Sequence, residues 1–120
     1  MKIDRGHLKA RATIEWIYQP CDIPVRGNVM ASGDDAFDKE CEDEILSRID
    51  SGDDWAWFQV ECRVSYGAHS ASEYLGGCSY ADEADWLSDL YAQDMLGEAA
   101  IEALAKSLES DAAAIEAVKA

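Results

Sequence analysis

Apolar and polar positions alternate strictly in two regions of the chain and recur at helical spacing in two others. From Leu8 to Tyr18, Leu8, Ala10, Ala12, Ile14, Trp16 and Tyr18 share one parity, while Lys9, Arg11, Thr13 and Glu15 take the other. That pattern predicts a first strand with one buried face. Pro20 is expected to end it, since proline has no N–H to give to a sheet ladder. The second alternating region, Trp55 to Tyr80, holds most of the aromatic and β-favouring residues and almost none of the charge. Within it Ala56, Phe58, Val60, Cys62, Val64 and Tyr66 alternate with Gln59, Glu61, Arg63 and Ser65. Turn chemistry follows from Gly67 to Ser70, and Ala71 to Tyr80 returns antiparallel. The region reads as a β-hairpin around which the rest is organised. Trp55 and Trp57 share the parity opposite to the buried one, which leaves two readings open: cover by the loop at 21–31, or exposure as a contact patch.

Helical spacing begins after that loop. Cys21 to Ala31, with Pro24 and Gly27, reads as a link with a short extended piece at Pro24 to Met30. A helix is expected to start near Ser32 to Asp34, where N-cap residues and early acidic side chains suit a helix N-terminus. Phe37, Cys41, Ile45, Leu46 and Ile49 line one face, with Asp38, Glu40, Glu42, Asp43 and Glu44 largely outside. Ser51-Gly52 should stop it. A second helix is expected from Asp82 to Ser110, with Leu87, Leu90 and Tyr91 on its first apolar face and Ile101, Leu104 and Leu108 on its second. Gly97 between them predicts a kink, a break or a close contact. Beyond Ser110 the tail is helix-prone, but only Ile115 and Val118 could pack, so it is expected to fray or to dock on a partner.

Strand, helix, strand, strand, helix is the signature of an α+β fold: a three-stranded antiparallel sheet covered on one face by helices. Residues 1–110 are expected to form a single domain, with 111–120 as a helix-prone tail. The 120 residues fit one ordinary domain with a modest core. No internal repeat stands out.

Charge changes the picture. The chain carries 25 acidic and 10 basic side chains, a net of -15. Such a balance argues against direct binding of nucleic acid or an anionic membrane, because phosphate-binding surfaces rely on Lys and Arg. A cationic partner is favoured instead. The segments Asp34–Asp54 and Asp82–Ala120 each hold ten acidic and two basic residues, whereas Met1–Gly33 is net positive, so the charge belongs to the helices. The charged start lacks the apolar core of a secretory signal. The longest stretch free of charge is the nine residues Val64 to Ser72, far short of the roughly 20 that span a bilayer. A cytoplasmic protein with reduced thiols is expected.

Chemistry-bearing motifs are sparse. Cys21, Cys41, Cys62, Cys78, His7 and His69 stand singly, without the paired spacing of zinc sites, and read as structural thiols and isolated histidines. Cys62 or Cys78 with His69 would need a third orienting group to act as a nucleophile. Asp34, Asp35 and Asp38 lack the loop pattern of a calcium site. No catalytic residue, metal or cofactor is assigned, and a non-enzyme is expected.

The sequence DWAW at Asp54 to Trp57, its alternating strand, YLGGCSY at Tyr74 to Tyr80 and the acidic helix after it resemble small acidic accessory proteins of bacteriophages. The resemblance covers about half the chain. It implies a phage or prophage setting, and the class resembles anti-CRISPR and anti-restriction proteins that occupy the DNA-binding surface of a host nuclease complex. No functional residue carries over from it.

The resulting expectation is a DNA-mimicking inhibitor of a cationic host protein or nucleoprotein complex. Its partner-binding carboxylates would be Asp34, Asp35, Asp38, Glu42 and Asp43 on the first helix and Asp82, Glu83, Asp85 and Asp89 on the second. The alternative is a non-catalytic assembly or adaptor module pairing, as a homodimer for instance, through the C-terminal helix. Its seam would be Gly97, Ile101, Leu104, Leu108, Ile115 and Val118, interrupted by Asp111.

Overall fold

Asp4 turns the start of the expected first strand into a helix. Its side chain accepts a hydrogen bond from the His7 N–H at 2.8 Å, and the Leu8 N–H reaches the Asp4 carbonyl at 3.0 Å. This capped first turn opens α1, Arg5–Arg11, which ends with Lys9 and Arg11 in its last turn and buries only Leu8. The strand β1 is therefore shorter than its pattern predicts, Thr13–Pro20, and its burial does not alternate. It ends on Pro20 as expected. The sheet order is β1-β2-β3, which makes β1 an edge strand, where a missing donor is tolerated.

The computed structural model describes residues 2–29 and 32–119, without the side chains of 114–116 and 119. Its elements run α1, β1, α2 (Asp35–Asp50), β2 (Phe58–Tyr66), β3 (His69–Cys78), α3 (Glu83–Ser88) and α4 (Leu90–Lys119). The sheet is three-stranded and antiparallel, and the class is α+β. The hairpin forms where the alternation places it: Phe58, Val60, Cys62 and Val64 are buried, and Tyr66 at the strand end is exposed. Gly67, at φ +61°, supplies the positive φ that a tight hairpin loop needs at its first position. The extended piece expected at Pro24 to Met30 is absent from the described part, which is a turn closed by the Asn28 N–H on the Val25 carbonyl at 3.1 Å. Met30 and Ala31 lie outside the described residues.

Two compact units divide the chain, each assembled from separate segments. The first comprises residues 1–17, 61–74 and 91–120; the second, residues 18–60 and 75–90. In the first unit Leu8, Cys62, Val64, Leu96, Ala100, Ile101, Leu104 and Ala105 are buried. Gly97 does not break α4, and an added Cβ there would meet nothing within 4 Å. Because Ile101 and Leu104 are buried in the monomer, two central positions of the expected dimer seam are already used. Asp111, its charged interruption, pairs with His69 at 3.2 Å. The helix continues beyond Ser110 to Lys119, with Val118 87% exposed; Ile115 lies outside the described side chains.

The second unit has two apolar centres. Trp57 packs with Val25, Ile45 and Ala56, and its indole N–H donates to the Ile23 carbonyl at 2.7 Å. The loop thus covers Trp57. Trp55 goes elsewhere, because the chain bends at Ala56 and Trp57 and β2 starts only at Phe58, so strand parity does not reach the two tryptophans. Trp55 joins Tyr18, Phe58, Tyr80 and Trp86 in a network of edge-to-face and tilted rings.

Trp86 anchors this network, fully buried, with its indole N–H on the Tyr18 hydroxyl at 3.0 Å. The expected single helix from Asp82 is in fact two, broken at Asp89, whose ψ of 76° is not helical. The break takes Leu87, Leu90 and Tyr91 off any common buried face, and all three are exposed. On α2, Phe37 and Ile49 are likewise exposed at the ends of the expected stripe, while Ile45 is buried.

Candidate functional site

All nine acidic residues singled out from the sequence belong to the second unit. That unit carries fifteen acidic and three basic side chains, a net of -12, and the first carries ten and seven, a net of -3. Charge is therefore segregated by unit more sharply than by helix. On α4 much of the negative charge is neutralised locally. Arg5 donates to Glu102 at 2.8 and 3.1 Å and to Glu109 at 2.6 and 3.1 Å, and Lys9 reaches Glu98 at 2.6 Å. The Arg5 guanidinium and the Ile3 N–H hold the Glu109 carboxyl down to about 2, and Arg5 likewise lowers Glu102.

On α2 the acidic residues divide into structural and free. Asp34 caps the helix by accepting from the Phe37 N–H at 3.1 Å, and Asp38 accepts from the Ser32 hydroxyl at 2.7 Å. Asp35 is exposed on the first turn, where the helix dipole favours a negative charge. Glu42 is a correction: it is only 9% exposed, and accepts from the Gly27 N–H at 2.9 Å and from Arg26 at 3.0 Å. Those two donors hold its carboxyl below the ordinary glutamate value. Asp43 is shared between Arg26 and Lys39, which lower it in the same way. Glu42 and Asp43 thus fasten the loop at Arg26 and Gly27 to α2 and present little free charge.

Around α3, Asp82 caps the helix by accepting from the Asp85 N–H at 2.8 Å, and Asp85 accepts from the Ala81 N–H at 2.9 Å. Glu83 is exposed. Asp89 is half-buried and accepts from the Tyr80 hydroxyl at 2.6 Å; burial first and this hydrogen bond second raise the tyrosine above its ordinary range. Asp89 is thus a helix-breaking internal acceptor.

The two sets of carboxylates sit toward opposite ends of α2. Arg48, in its last turns, donates to the Tyr80 and Ala81 carbonyls immediately before α3. Asp35 and Arg48 are about 20 Å apart along the helix axis at 1.5 Å per residue. Exposed Glu40, Glu44, Asp50 and Asp54, which the sequence reading left outside the site, occupy the interval and its end. Their signal was simple density of charge, and that they have no ion pair or hydrogen bond among the described residues is visible only in the structure. At 3.6 residues per turn Glu40 and Glu44 lie on the outer face of α2, away from the side of Asp38 and the buried Glu42, so the free carboxylates there form a face that the predicted set did not include.

Among the described residues no three His, Cys, Asp or Glu side chains are grouped to hold a metal ion. All four cysteines are free thiols, with burial raising Cys62 and, aided by the charges of Cys21 and Asp89, pushing Cys78 up to about 11. Among the described residues no helix is long and apolar enough to cross a membrane. No family model, curated protein or solved structure matches the chain.

Proposed function

We propose that this chain is a non-catalytic inhibitor that occupies the nucleic-acid-binding surface of a cationic host protein or nucleoprotein complex. The observation that carries the reading is the concentration of a net charge of -12 in the second unit. Along the 16 residues of α2 there are seven acidic and two basic side chains. With Glu42 and Asp43 tied to Arg26, the carboxylates of Asp35, Asp38, Glu40, Glu44 and Asp50 remain, one per ~5 Å over about 24 Å of helix, of the order of the 3.4 Å spacing per strand of nucleic acid. Lys and Arg that hold phosphates would meet carboxylates at a comparable interval. The resemblance to phage accessory proteins supplies a setting, the cytoplasm of an infected bacterium, and anti-CRISPR-like action as the mode. Neither nucleic acid nor an anionic membrane is a direct partner in this reading.

The test is capture from a bacterial lysate at low salt, identification of the captured complex, and competition with duplex DNA on the purified pair. The reading expects a nucleic-acid-binding complex that DNA displaces and that dissociates steeply as salt rises. Association indifferent to DNA and to salt would refute it.

A further inference from the structure

The end of β1, the end of α2 and the bend before β2 line a cavity of about 490 Å³ within the second unit. That volume falls within the roughly 300–1,000 Å³ of small-ligand sites. Among its lining residues Trp57 and Phe58 are buried in the core, whereas Tyr18 and Ile49 are 39% and 40% exposed and Pro20 is exposed. The apolar surface that the cavity leaves open to solvent therefore comes mainly from the ends of β1 and α2, and the packed rings are not available to a ligand.

Two carboxylates also line the cavity and differ in what they can offer. Asp53 accepts from the Arg48 guanidinium at 2.8 Å and from the Trp55 N–H at 3.0 Å, and those contacts hold it below its ordinary value. Asp54, one residue on, is exposed and, among the described residues, makes no hydrogen bond or ion pair. The same chemical group thus stands twice at the cavity, once with its guanidinium and once without. Ile49, in the last turn of α2, brings the negative end of that helix's dipole to the same place.

This combination selects an occupant. An anion would enter against a net charge of -12. A neutral apolar group would leave the Asp54 charge uncompensated as it displaced water. A bare metal ion lacks ligands, since no three His, Cys, Asp or Glu among the described residues are grouped to hold one. A lysine ammonium is a compact, strongly hydrated charge with three donors, and one open carboxylate beside apolar surface meets that need poorly. A guanidinium sets two parallel N–H groups on a single carboxylate, sheds water more readily, and follows an apolar stem that can lie along aliphatic side chains. We propose that the cavity seats one arginine side chain of a partner protein, with its guanidinium on Asp54 and its stem against Ile49 and Pro20. The proposal deepens the inhibitor reading and rests on its cationic partner: the acidic face of α2 would meet the partner's charge at large, and this cavity would fix one side chain of it.

A short blocked peptide with one central arginine is titrated at low salt into the whole chain labelled with nitrogen-15, beside twins carrying lysine or citrulline, the neutral isostere of arginine. Chemical shifts of the backbone amides report both affinity and place. Saturable shifts centred on Ile49, Gly52, Asp54 and Trp55 support the site, with the lysine twin about threefold or more weaker and the citrulline twin about tenfold or more weaker. Asp54→Asn should weaken the arginine peptide about tenfold, whereas Glu40→Gln, which removes the same charge from an exposed position on α2, should change it less than about twofold. Circular dichroism of both variants confirms the fold. Shifts spread along α2 without saturation, equal affinity for arginine and either twin, or equal losses in folded Asp54→Asn and Glu40→Gln overturn the proposal. The titration needs no captured partner, so a failure of this site is read separately from a failure of the inhibitor reading, which the lysate capture decides.

Discussion

Gly77 and Gly97 make opposite demands on an added methyl group. Gly77 lies at φ +65°, and a Cβ there would stand 3.2 Å from the Trp57 ring. Gly97 lies in regular helix with open space around its missing Cβ. Gly77→Ala is therefore expected to destabilise by about 1–3 kcal/mol, through backbone strain and displacement of Trp57. Gly97→Ala should stabilise by about 0.5–1 kcal/mol through helix propensity. Urea unfolding of the two variants checks both signs, and a destabilised Gly97→Ala would show a contact at that glycine. Legibility at this scale was uneven. The alternation at Phe58 to Val64 identified buried residues because a strand in a sheet has one dominant period. Trp55 and Trp57 escaped that logic because the chain bends before the strand begins. Glu42 looked like any other acid of its run, since nothing local distinguishes a carboxylate that will receive a loop N–H from fifteen residues away.

At the scale of elements, α2 was legible because its signals agree: Asp34 caps it, Asp35 and Asp38 favour its first turn, and Gly52 at φ +86° follows its end. α1 was hidden because seven residues fit alternation as well as helix, and the Asp4 cap decides between them. The buried face of α4 includes Ala92, Ala100 and Ala105, small residues that add little to an apolar pattern. Its charges have a measurable consequence. Glu102 and Glu109 are both held below their ordinary value by Arg5, so the unfolded chain binds more protons than the folded one between pH 4.5 and about 2. Stability from this pairing is complete above that window and lost as pH falls through it. Thermal unfolding should show Arg5→Met less stable than the native chain at pH 7, with the gap closing toward pH 2. A gap that persisted unchanged at pH 2 would assign the role of Arg5 to packing rather than to charge.

For the whole molecule, the α+β class and the three-stranded sheet were readable from element order, whereas the division of charge between two units was not. Residues 82–89 lie far from α2 in sequence but share its unit, and the acids of α4 share theirs with Arg5 and Lys9. Counting charge by sequence segment therefore gave two equally acidic helical regions, and the fold makes them unequal. The central claim is that a localised acidic surface on the second unit, rather than net charge, holds the partner. Glu40 and Glu44 on α2, and Asp94 and Glu98 on α4, are exposed pairs with the same spacing. Reversing either pair to Lys changes net charge equally; the α4 pair also gives up the exposed Lys9–Glu98 contact, a small loss at the surface. The decisive measurement is the dissociation constant of the captured complex at low salt for the native chain and the two double variants, with folding checked by circular dichroism. Glu40→Lys with Glu44→Lys should weaken binding about tenfold or more, and Asp94→Lys with Glu98→Lys by less than about threefold. Equal losses from the two pairs, or a greater loss from the α4 pair, would contradict the account.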